Sequence, residues 1–122
     1  MANPLKTIRF IGNVTSTTGG TVSWPFTDGL PNFEKFMDVL INVKTLSGGT
    51  SPTVTIAVQE EFSGVFATTA TSTALTGTGT TFLTNASNPM LGKGIAKNFV
   101  LTTGGSPSAL SVDLYTIFFS NN

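Results

Sequence analysis

Residues 39–58 read VLINVKTLSGGTSPTVTIAV. Val39, Ile41 and Val43 alternate with Leu40, Asn42 and Lys44, and Val54, Ile56 and Val58 alternate with Thr53, Thr55, Ala57 and Gln59. Successive side chains of an extended chain leave opposite faces of a sheet, so each run reads as a half-buried strand. Between them stands Ser47-Gly48-Gly49-Thr50-Ser51-Pro52. Glycine supplies the positive φ of a tight reversal, and serine hydroxyls satisfy nearby backbone groups. Proline then opens the outgoing strand, where a missing N–H breaks no ladder bond. The same order returns around Gly104-Gly105-Ser106-Pro107-Ser108. The spacing predicts two antiparallel hairpins, 38–59 and 97–119, with equivalent tips.

Working outward, Lys6 to Ile11 sets Ile8 and Phe10 on one face, and Thr21 to Phe26 does the same with Val22 and Trp24. Val65 to Thr71 and Thr80 to Thr84 are weaker strands, and Asn98 to Thr103 is a stronger one. In Ala109 to Phe119, Leu110, Val112, Leu114, Thr116 and Phe118 share a face. The other face carries Ser111, Asp113, Tyr115, Ile117 and Phe119, so the C-terminal half is apolar on both sides. Such a segment is a central strand or an interface. Only Asn32 to Leu40 has helical spacing, with Phe33, Phe36, Met37 and Leu40 at i, i+3, i+4 and i+7. It reads equally as a short helix over 32–37 or as a loop feeding a strand. Gly-rich turns punctuate the whole chain at short intervals. The expected fold is all-β: a single β-sandwich of about 7–9 short antiparallel strands with Greek-key or jelly-roll connections. One domain spans 1–122, with a short N-terminal arm at about 1–5 and a loose end at Ser120 to Asn122.

Composition narrows function by exclusion. The 122 residues hold six basic and six acidic side chains, no His and no Cys. Zero net charge offers no field for phosphates, so nucleic acid is not an expected partner. Without Cys or His there is no disulfide framework, no thiolate chemistry and neither of the commonest zinc ligands. No apolar run reaches membrane-spanning length, and Met1 to Phe10 lacks the apolar region of a signal peptide. Charged residues are 10% of the chain against about 25% in ordinary domains. The polar surface falls instead to 22 Thr and 11 Ser.

The chemistry-bearing candidates are few. The carboxylates are Asp28, Glu34, Asp38, Glu60, Glu61 and Asp113, and only Glu60-Glu61 are adjacent. On a strand they point to opposite faces, so they cannot flank one bond as a glycosidase pair must; they read as solvated strand-end charges. Gly77-Thr78-Gly79 and Gly92-Lys93-Gly94 look superficially like phosphate loops, but neither fits a Walker pattern, and both read as turns. The Ser and Thr hydroxyls have no His base and no Ser-x-x-Lys motif. Asn13-Val14-Thr15 and Asn85-Ala86-Ser87 match the glycosylation pattern but carry little meaning without a secretory signal. Trp24 and Tyr115 are the only aromatics with a polar handle, which is thin support for a sugar platform, and Trp24 reads as packing. The expectation is no enzyme: no catalytic residue, no cofactor and no metal.

Sparse, balanced charge gives little self-repulsion and favours contact with neighbours. The segment 38–59, a variable middle, and the segment 97–119 together resemble the head decoration, or capsid cement, proteins of tailed bacteriophages, which are β-sandwiches. The resemblance implies a non-enzymatic virion protein on the capsid exterior, made in the host cytoplasm. It implies the major capsid protein as partner, and a homo-oligomer, commonly a trimer near three-fold or quasi-three-fold points, that clamps capsid subunits. No membrane partner is expected. The alternatives are a carbohydrate- or receptor-binding β-sandwich module, which several exposed Trp or Tyr would favour, or another phage structural subunit of tail or head completion.

Overall fold

The computed structural model describes residues 5–23, 35–94 and 97–120. Its elements in chain order are β1 (Leu5–Val14), β2 (Gly20–Ser23), β3 (Lys35–Ser47), β4 (Thr53–Phe62), β5 (Val65–Thr71), β6 (Gly79–Leu83), β7 (Lys97–Gly104) and β8 (Ala109–Ser120). No helix occurs among the described residues. The strands form two antiparallel four-stranded sheets, in the orders β1-β8-β3-β6 and β2-β7-β4-β5. That is the double Greek key of a jelly roll. Read backwards, the second sheet is β5-β4-β7-β2, so adding four to each strand number exchanges the two sheets. The Gly-Gly-x-Ser-Pro echo therefore falls at topologically equivalent crossings.

The strands foreseen at both echoes are present, but they are not hairpins. β3 pairs with β8 and β6, whereas β4 pairs with β7 and β5. Each Gly-Gly turn is an arch that carries the chain from one sheet to the other. The reason is burial. Val39, Ile41 and Val43 on β3 and Val54, Ile56 and Val58 on β4 are all essentially inaccessible. Alternation would let them share a single sheet face, but one face has nothing of its own to pack against. Placed on opposite sheets about 10 Å apart, the two runs bury one another. Phe99, Leu101, Leu110, Val112, Leu114 and Phe118 from β7 and β8 complete the same core.

The two arches also hold each other. Thr50 N–H donates to Gly105 C=O at 2.9 Å, and Ser108 N–H donates to Ser47 C=O at 2.9 Å. Gly48, Gly49, Ser51, Gly105 and Ser106 all have positive φ, the left-handed backbone that the glycines were expected to supply.

The helical alternative over 32–37 fails from Lys35 onward, because β3 is already extended there. Met37 faces the core opposite Phe118 of β8, while Leu40 lies on the other face opposite Tyr115. A twelve-pair ladder with β8 outweighs one turn of helical spacing. Residues 32–34 and Trp24 lie outside the described residues. β1 begins at Leu5, the last residue of the expected arm, and β8 runs through Ser120.

Among the described residues the one tight two-residue hairpin is Ser63-Gly64, between β4 and β5, with φ of 53° and 85°. Two positive values fit a type I′ turn, in which Asn is preferred at the first position. Ser63→Asn is expected to stabilise the fold by about 0.5 kcal/mol, read as a higher midpoint in urea. A lower midpoint would show that the turn is of another type.

Candidate functional site

The carboxylates do not assemble into a catalytic group. Asp38 accepts the Asn85 N–H at 2.9 Å and so tethers the loop after β6. Asp113 accepts from the Asn13 amide at 2.7 Å and lies 3.5 Å from the Lys44 ammonium. Asp28 and Glu34 lie outside the described residues. Among the described residues no three His, Cys, Asp or Glu side chains converge as a metal site would require. Both glycosylation-like asparagines use their amides internally: Asn13 on Ser111 and Asp113, Asn85 on the Leu91 and Pro89 carbonyls.

Glu60 and Glu61 do point to opposite faces, but Glu60 is not solvated. Its side chain is 0% exposed. Gly92 N–H reaches both carboxylate oxygens, at 2.9 and 3.1 Å, and Gly94 N–H reaches one at 2.9 Å. The Thr69 hydroxyl donates to the same group. Gly92-Lys93-Gly94, read from the sequence as a plain turn, thus holds a carboxyl group, and that group is the protein's own side chain. Glycine is required there by space: a Cβ on Gly94 would lie 2.5 Å from Glu60 Cβ, and one on Gly92 would lie 2.7 Å from Met37 Cβ. An acidic residue at an inward position of a buried strand was the available sequence signal, because burial of such a group demands nearby donors. Gly77-Thr78-Gly79 holds no group in this way; nothing lies within 4 Å of a Cβ at Gly77 or Gly79.

On the outer face of the first sheet the fold leaves large apolar side chains uncovered. Ladder register aligns Phe10 of β1 with Tyr115 of β8, Tyr115 with Leu40 of β3, and Leu40 with Phe82 of β6. These four side chains make an unbroken row across the outer face of the first sheet. Phe10 meets Tyr115 edge-on, with ring centroids 5.4 Å apart. The next row brings Ile8 beside Ile117. Phe10, Phe82 and Ile8 are 50%, 53% and 61% exposed. Ile8 and Phe10 do share a face, and it is the solvent face: a bulge between Phe10 and Gly12 lets Ile11 and Val14 both turn inward. The two-sided apolar character of the end of β8 is explained here. The strand is central in its sheet, and its outer side belongs to this row.

Comparison with protein-family models, curated proteins and solved structures finds no match. The chemistry of the surface therefore carries the functional reading. Among the described residues it offers no metal-type cluster, but an apolar row running across all four strands, with Asp38 beside Ile117 in the next row. Large contiguous exposed apolar patches are a general feature of interaction surfaces.

Proposed function

We propose that this chain is a non-enzymatic structural subunit of a virion, seated on the outside of a phage capsid, where it bridges and stabilises capsid subunits. The observation that carries the reading is the Phe10-Tyr115-Leu40-Phe82 row, open on a sheet whose opposite face is already packed. The partner is the major capsid protein, and the protein acts as a homo-oligomer. The jelly roll agrees with this role but does not decide it, since the architecture serves both capsid proteins and lectins. A sugar platform is less well supported, because Tyr115 alone in the row has a polar handle.

An interface built on this row is held by apolar burial and not by ion pairs, so capsid binding should change little between low and high salt. The double variant Phe10→Ser, Phe82→Ser should fold normally, because both rings are half exposed. It should bind empty capsids about 30-fold more weakly, the effect of losing about 2 kcal/mol of central contacts. Cryo-microscopy of particles with and without the protein tests the placement. Density away from the capsid exterior, or capsid binding that vanishes in moderate salt, would overturn the reading.

A further inference from the structure

We propose that β5 is a self-pairing edge, through which two copies of this chain join antiparallel and fuse their β2-β7-β4-β5 sheets into one continuous sheet. The inference rests on the edge of the second sheet and does not depend on the virion reading.

Each sheet ends in two edge strands, and among the described residues β1 and β6 each carry a block to further pairing. β1 contains Lys6 and Arg9 and is bulged at Phe10/Gly12. β6 has five residues and starts at Gly79 with φ 138°, and the described part of β2 is Gly20–Ser23. β5 reads VFATTAT, with no charge and no proline. Its irregularity is Thr69, the extra residue opposite Val58/Gln59, whose hydroxyl is turned toward Glu60. Residues 65–68 are left regular and exposed in full sequence. Among the described residues no strand pairs with β5 on its outer side.

The hairpin tells which groups are open. A two-residue turn makes its flanking residues, Phe62 and Val65, a hydrogen-bonded pair, and such pairs alternate along an antiparallel ladder. Glu60↔Ala67 is then bonded, while Glu61↔Phe66 and Gln59↔Thr68 are not. The N–H and C=O of Phe66 and of Thr68 therefore point away from β4. A row of this kind is complementary to another extended strand. A two-fold axis at Ala67 sets Phe66 against Thr68 of a second copy, and Thr68 against its Phe66, so that both pairs exchange bonds in both directions.

Charge favours a second copy as the occupant. An uncharged strand pairs with itself without setting like charges together. The nearest acids, Glu60 and Glu61, are one strand further in, so the two copies of each would lie about 14 Å or more apart, beyond the screening length at physiological salt. Val65 and Phe66, on opposite faces of the hairpin, are 65% and 50% exposed, and pairing covers part of both. The contact is a two-fold.

The absence of cysteine makes the test direct. Across the axis the two Ala67 residues form a non-bonded pair, the site of closest Cα approach. Ala67→Cys should form a disulfide-linked dimer under mild oxidation, at least about tenfold faster than Thr21→Cys on the opposite edge of the same sheet. Sedimentation of the unmodified chain should show a dimer. Thr68→Pro removes only an outward N–H and should give a folded monomer. If that variant misfolds, Thr68→Lys, which adds like charges on one face of the pair, should do the same. Cross-linking of Ala67→Cys no faster than the control, or a dimer that survives the Thr68 variants, would overturn the proposal. A monomer that instead captures an unrelated strand would overturn the choice of occupant.

Discussion

Glu60→Ala is expected to lower stability by about 3–5 kcal/mol, the combined cost of several buried donors left without an acceptor and of the void opened beside them. Gly92 N–H, Gly94 N–H and the Thr69 hydroxyl all end on this carboxylate, inside a side chain with no exposed surface. Truncation leaves those donors facing a void. Each buried donor without an acceptor costs about 1–3 kcal/mol, and the empty volume adds to that. For a chain of this length the melting temperature should fall by about 10–20 °C. Glu60→Gln keeps one acceptor oxygen but turns an amide against a donor, so a smaller loss is expected. The damage should be local first, with hydrogen exchange rising in the loop around Gly92 and Gly94 before the sheets respond. A melting temperature within about 2 °C of the parent would show that the loop is held by something other than Glu60.

Glu60 also shows where sequence reasoning stops. Period two told that Glu60 and Glu61 diverge, and they do. Which of the two faces is the core depends on what the sheet packs against, and that is a long-range fact. The same ambiguity surrounds β1: Ile8 and Phe10 were visible as a pair, but their solvent exposure depends on a bulge that local pattern does not reveal. The echo at 47–52 and 104–108 was legible as two equivalent turns because glycine and proline act locally. Its identity as a pair of arches was not, since connections of five and four residues, 48–52 and 105–108, serve either a hairpin or a crossing between sheets. The class, the strand positions and the apolar outer side of β8 came through, because each rests on alternation along one strand. The row across four strands needed the register of three ladders.

The arches supply the other large effect. At Gly49 φ is 61°, and an added Cβ would sit 2.0 Å from the Gly105 carbonyl oxygen and 2.2 Å from that of Ser106. At Gly105 φ is 72°, and a Cβ would sit 2.3 Å from the Thr50 oxygen and 2.7 Å from the Ser51 oxygen. Those neighbours are backbone and cannot rotate aside. Gly64, with φ 85°, has open space around it. It therefore serves as an internal control in which backbone strain acts without collision. Gly64→Ala should cost about 1–2 kcal/mol, the left-handed penalty alone. Gly49→Ala and Gly105→Ala should each cost about 3–5 kcal/mol, because one arch must also move off the other. Both substitutions break the same contact, so the double variant should lose clearly less than the sum of the singles. Once the arches have parted for the first methyl, the second meets less resistance. Denaturant midpoints of the four variants, at unchanged slope, measure all three quantities. Equal losses at Gly49 and Gly64 would mean that strain alone is at work. Strict additivity of Gly49 and Gly105 would mean that the two crossings do not lean on each other, and that the sandwich is closed at this end by its sheets alone.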